Sequence, residues 1–224
     1  MENNGKGIFY GVIGVATLIV AIIGATFAYF TATDEDTETV TGAAEKIGLS
    51  VQVEKVTTTA EGKISDNLIP LAGDSLGDAI DGAHGKSVCI DDAGYTACHI
   101  YKVTVTNTAE AGAASIAVVG NAVVNSTGEN ALSDLVLQPV TFADDAYAVA
   151  GSSGALSVST NLVVNTDSDS TIEAGNGTAV YYFVVYLNND GQQDEQQGGT
   201  YTGSVSFSAG AGSEVKATFT ASQG

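Results

Sequence analysis

Apolar and polar positions alternate with period two through most of the chain. Leu49, Val51 and Val53 alternate with Ser50, Gln52 and Glu54, and Tyr101, Val103 and Val105 with Lys102, Thr104 and Thr106. Tyr201, Val205 and Phe207 alternate with Thr202, Ser204, Ser206 and Ser208, and Val215, Ala217 and Phe219 with Lys216, Thr218 and Thr220. Each pattern describes a strand with one dry and one wet face, the wet face lined by Thr and Ser that suit a pleated surface. Two stretches are apolar on both faces, Val180 to Leu187 and Ile116 to Val124. Both are expected as central strands covered on both sides. Turn residues separate the strands at Gly151–Gly154, Gly175–Gly177, Asn188–Gly191 and Gly210–Gly212. Helical spacing occurs at Leu132, Leu135 and Val136 before Pro139, which predicts a short helix over 130–138; Phe142 to Ala150 fits either helix or strand. Many short strands, Gly-rich turns and little helix predict an all-β domain, a jelly-roll or β-sandwich, over 46–224.

A different pattern opens the chain. From Gly7 to Thr33, 27 residues carry no charge, and the run from Val12 to Gly24 is dense in Ile and Val. About 20 helical residues cross a hydrocarbon core of about 30 Å, so residues 1–33 form an N-terminal signal or transmembrane helix. Lys6 precedes it and Asp34, Glu35, Asp36 and Glu38 come after it, which places the remainder outside the membrane. Thr26 and Ala28 supply the small residues of a cleavage site between Ala28 and Tyr29. Retention as an anchor and removal as a signal both fit, and both export the rest of the chain to the cell surface or the extracellular space. Residues 34–45 read as an acidic linker.

Charge and cysteine content narrow the function. The 224 residues include 26 acids and 7 basic residues, all Lys, for a net charge of −19. Such a field without Arg excludes a nucleic-acid backbone as partner. Two cysteines, Cys89 and Cys98, enclose eight residues with a turn signal at Asp92-Ala-Gly94. An exported domain predicts them as a disulfide stapling a β-hairpin.

Candidate chemistry is sparse. His84 and His99 are the only histidines, no nucleophile elbow is present, and Trp is absent, so no catalytic residue is assigned and the chain reads as a non-enzyme. Asn165, Asp167 and Asp169 give oxygen ligands at alternate positions, as a calcium loop begins. Ser170 then stands where the sharp-turn Gly belongs, so Asp167 and Asp169 fit a Ca²⁺ site only with help from another loop. No other cofactor or metal is implied. Tyr181, Tyr182 and Tyr186 can pack their rings in the sheet or present them to a partner.

The segment Gly24-Ala-Thr-Phe-Ala-Tyr-Phe-Thr31 resembles the export box of the TasA and camelysin family of bacterial surface proteins, with Phe27 at its aromatic position. Pro70-Leu-Ala-Gly-Asp74 and the strand Tyr101 to Asn107-Thr are similar to a Pro-Gly-Asp turn and a subsequent strand in that family, with an insertion between Pro70 and Gly73. The resemblance implies a jelly-roll displayed outside the cell that associates with itself into biofilm-matrix fibres by strand addition. The donor would begin at Tyr29 or lie near Ile47 to Val56. A membrane-anchored adhesin, or a type IV pilin-like subunit processed after Gly7, are the alternatives.

Overall fold

The computed structural model describes residues 39–44, 48–56, 65–81, 88–91, 93–150, 158–162, 171–189, 191, 196, 199–209 and 214–222. All lie in the unit Thr37–Gly224. The expected leader over 1–33 and the expected Ala28–Tyr29 junction lie outside the described residues, as do Asp167, Asp169 and His84. No described helix is long and apolar enough to cross a membrane.

Most of the described residues lie in β-strands, with almost no helix. In order, the strands are β1 (Thr39–Ala44), β2 (Leu49–Val56), β3 (Ser65–Leu68) and β4 (Pro70–Leu71), then, after a single 3-10 turn and the short helix α1 (Leu76–Ile80), β5 (Tyr95–Thr96) and β6 (Cys98–Asn107). They continue with β7 (Ile116–Ala117), β8 (Val119–Asn125), β9 (Leu135–Ala143), β10 (Ala146–Val149), β11 (Ser159–Asn161) and β12 (Thr171–Ile172), and end with β13 (Thr178–Asn188), β14 (Thr200–Ser208) and β15 (Glu214–Ser222). The larger sheet runs β1-β2-β6-β13-β9-β10, with β4 alongside the end of β13; the smaller runs β11-β8-β14-β15.

The inner faces of these two sheets make one core. Val51 and Val53, Tyr101, Val103 and Val105, and Phe183 and Val185 meet Ala122 and Val124, Val205 and Phe207, and Val215 and Phe219. Rings bridge the layers: Phe219 lies 4.5 Å from Tyr101 and 5.5 Å from Phe183, and Phe207 lies 5.2 Å from Tyr181, centroid to centroid. Phe219 and Phe207 lie on bare backbone. A Cβ added at Gly203 would sit 2.1 Å from the Phe219 ring, and one at Gly120 would sit 2.3 Å from the Phe207 ring.

Strands β2-β6-β13-β9 facing β8-β14-β15 reproduce the A-B-E-D and C-F-G sheets of a constant-type immunoglobulin sandwich. The all-β expectation holds. β1, β2 and β6 share one sheet and β14 and β15 the other, and the chain crosses between the sheets from β6 to β8, β8 to β9, β10 to β11, β11 to β13 and β13 to β14. The short link between β1 and β2 favours direct pairing. Pairing also moves the domain boundary: Thr39–Ala44, expected in the linker 34–45, is a strand in full register with β2. Leu49–Val56, one expected donor segment, is an interior strand held on both sides by β1 and β6.

Three local expectations change. Residues 130–138 are not helical; Leu135, Val136 and Leu137 are buried in turn on both faces of β9. Pro139 is tolerated there because its carbonyl accepts from the Ala150 N–H, so its missing N–H faces the same side, at the end of the β10 ladder rather than toward β13. Phe142 to Ala150 resolves as a hairpin, turned by Asp144 (φ 53°) and Asp145 (φ 61°) between paired Ala143 and Ala146, the two-residue turn that matches strand twist. Ile116 to Val124 is not covered on both faces: Val119 is 62% and Val123 39% exposed, while Val118, Ala122 and Val124 are buried. β13 meets the expectation over its second half, where a second core covers Val184 and Tyr186, while Val180 is 44% exposed and Tyr182 half-buried. There Leu76 and Ile80 of α1 pack with Cys89, Cys98, Ile100, Val136, Val184 and Tyr186.

Candidate functional site

The outer face of the larger sheet carries a cluster of aromatic rings beside α1, where Tyr147 belongs to the same core as Leu76 and Ile80 and Tyr182 packs against it. Phe142 of β9, Tyr147 of β10 and Tyr182 of β13 lie with centroids 4.6 Å (Phe142–Tyr147), 5.6 Å (Phe142–Tyr182) and 5.7 Å (Tyr147–Tyr182) apart. Register places them: Tyr147 is opposite Phe142, and Tyr182 is opposite Val140, two residues along the same face of β9. Phe142 is 42% exposed and Val180, next on that face of β13, is 44% exposed. Tyr147 is buried against its neighbours, and burial first, then the nearby Tyr182 phenol, push its pKa up to about 12. Burial also raises Tyr186. The phenols of Tyr147 and Tyr186 therefore stay neutral through the physiological range and offer ring faces and hydroxyls, not charge. In the same row, Lys102 of β6 stands opposite Tyr182, and Glu54 of β2 opposite Lys102. The exposed pair Asp144 and Asp145 closes the row at the hairpin turn. The arrangement suits stacking and cation–π contact at its rings and hydrogen bonding at its rim.

Of the three tyrosines singled out in the sequence, Tyr182 reaches this face. Tyr181 is in the sandwich core and Tyr186 in the second core. Phe142, Tyr147 and the Asp144-Asp145 turn were not singled out. Their one sequence signal is the unit Phe142-Ala-Asp-Asp-Ala-Tyr147, two rings placed symmetrically about two turn-forming residues.

Cys89 and Cys98 are joined in a disulfide, with Cα atoms 4.8 Å apart. The loop they close is a partial hairpin: Ile90 bridges Thr96, and the Ala97 N–H donates to the Cys89 carbonyl. Asp91 organises its turn, its Oδ1 accepting from the N–H groups of Ala93 (2.9 Å) and Tyr95 (2.7 Å). The Cys89 N–H donates to Ala79, so the disulfide also fastens the end of α1 to β6.

His99 points into the sandwich rather than at a substrate. The Tyr201 hydroxyl lies 2.7 Å from His99 Nδ1 and 2.8 Å from the Tyr101 hydroxyl, all three groups buried. This is a polar tie between the sheets. Gln196 is buried, and its Nε2 donates to Ser133 Oγ and Asp134 Oδ2. Among the described residues no group of three or more His, Cys, Asp or Glu side chains converges to hold a metal. No model of a known protein family matches the sequence, and no curated protein matches it.

Proposed function

We propose that this chain is a non-enzymatic protein of the cell surface, exported by its N-terminal segment and assembling into fibres or matrix by strand addition between copies. The observation that supports this is the placement of the first and last described strands. β1 and β15 end their respective sheets, each with one ladder partner among the described residues, and they lie side by side. A strand withdrawn from such a place leaves an unpaired row of N–H and C=O groups on its neighbour that takes a strand from another chain, and a contact of this kind repeats head to tail. β1 is the strand such an exchange would move. It is six residues long without a charged side chain, is held by β2, and comes after a polar, acidic segment. The net charge of −19 opposes close approach of copies, so assembly strengthens as salt shortens the Debye length from about 30 Å at 0.01 M to about 8 Å at 0.15 M.

The test is electron microscopy and sedimentation of the purified chain at low and high salt, with and without a peptide of residues 37–46. Filaments that grow with salt and are capped by the peptide are expected. Monomers under every condition would overturn the reading. N-terminal sequencing of native material separates a secreted subunit starting at Tyr29 from an anchored protein starting at Met1 or a pilin-like one starting at Ile8. A second reading, a membrane-anchored adhesin or binding module, is favoured by the exposed side chains of Phe142 and Val180 beside half-buried Tyr182.

A further inference from the structure

The edge beside the aromatic cluster has a composition that end strands seldom show. β10 ends the larger sheet, and its sequence Ala146-Tyr-Ala-Val149 contains none of the Lys, Pro or inward charge that usually blocks an edge. The Ala150 N–H donates back to Pro139. Backbone groups alternate sides along a strand, so Ala148 also faces β9 while the N–H and C=O of Tyr147 and Val149 point outward. Among the described residues these outward groups have no partner. The side chains of the same two residues, Tyr147 and Val149, lie on the outer face with Phe142 and Tyr182. An added strand, about 4.8 Å away, would therefore pair with Tyr147 and Val149 and set every second side chain beside those rings.

Charge selects the occupant. Asp144 and Asp145 are exposed at the start of β10, and the chain carries 26 acids against 7 Lys and no Arg. Lys102, the cation of this row, lies on β6, beyond both β9 and β13. A second copy of this chain brings more acid to the edge, whereas a basic segment gains from the field and from cation–π contact with the exposed ring of Phe142.

We propose that the free edge of β10 accepts an extended, basic segment of a partner protein as an added strand, its alternate side chains resting on Tyr147 and Phe142 and its cations facing Asp144 and Asp145. This contact does not depend on polymerisation. It weakens with salt, while association between copies strengthens, so the failure of one reading is distinguishable from the failure of the other.

The probe is a dye-labelled Lys-Val-Lys-Val-Lys-Val-Lys peptide, compared by fluorescence anisotropy with a Lys-Pro-Lys-Val-Lys-Pro-Lys peptide of equal charge and with the Glu-Val counterpart. The strand-forming basic peptide should bind at least tenfold more tightly than either control. Val149→Pro deletes an outward N–H that the β9 ladder does not use and should weaken binding about tenfold or more. The pair Asp144→Asn and Asp145→Asn keeps side chains that tolerate positive φ and should weaken it about threefold to tenfold, with a flatter salt dependence. Hydrogen exchange on the unsubstituted protein should show the Tyr147 and Val149 amides newly protected by the peptide. Equal binding of the proline-interrupted peptide, unprotected Tyr147 and Val149 amides, or no binding of the basic peptide would each overturn the proposal.

Discussion

Replacing Cys89 and Cys98 together with Ala tests how the lid over the second core is held. The disulfide closes a loop with a sequence separation of 9. In the chain-entropy model, cross-linking a loop of that length removes unfolded-state freedom worth about 2.5 kcal/mol at 25 °C. Both cysteines are buried, Cys89 at 5% and Cys98 at 1% exposure, and lose packing with Leu76, Ile80 and Ile100 on substitution, which adds about 1 kcal/mol. A domain of this size shifts its Tm by about 2–4 °C per kcal/mol, so the double variant should melt roughly 7–14 °C lower. The loss should be uneven. The Cys89 N–H donates to Ala79, so hydrogen exchange in α1 should rise more than in β13. The same burial predicts slow reduction by dithiothreitol under native conditions, because reagent reaches the sulfurs only after local opening. Calorimetry showing an unchanged Tm, or reduction as fast as in the urea-unfolded chain, would refute the reasoning.

Three further predictions concern the interior. Gly203→Ala forces the Phe219 ring off the β14 backbone and should cost about 1–3 kcal/mol in urea titration, with no comparable loss when exposed Thr202 is changed to Ala. Tyr201→Phe removes the hydroxyl shared by His99 Nδ1 and the Tyr101 hydroxyl and should cost about 1–3 kcal/mol by the same measurement. Tyr147 has its folded pKa raised to about 12 against 10.0, so the fold favours the neutral phenol. Its contribution is fully present below pH 10 and is lost as pH rises toward 12; phenolate absorbance and stability measured together should show this, and Tyr147→Phe should flatten the slope.

Much of the sandwich was legible in the sequence because a strand with one covered face must alternate, and β2, β6, β14 and β15 do so without exception in their central residues. Alternation does not say which sheet a strand enters, so the order β2-β6-β13-β9 could not be told from a jelly roll. The failures share a cause. Val119 and Val123 looked internal by hydrophobicity, yet they face outward on a sheet whose inner face alone is covered among the described residues. Leu132, Leu135 and Val136 had helical spacing, but β13 claimed the backbone of Leu135 and Val136, and Leu132 lies before the strand begins. β1, reading TVTGAA, is too plain to announce a strand and gains its identity from six cross-strand pairs with β2. The aromatic cluster was hidden because it draws one ring from each of three strands, 35 residues apart in sequence between Tyr147 and Tyr182.

β13 is the wall between two interiors: Phe183 and Val185 look into one, Val184 and Tyr186 into the other. Because its ladder bonds run to β6, β9 and β4 and not to α1, the cap on its outer side can be lengthened, exchanged or trimmed beyond β4 without rewriting the pairing beneath it. Sequence drift in such a protein would accumulate first in the cap and its stapled loop, leaving the paired layers as a constant chassis on which different attachments are mounted.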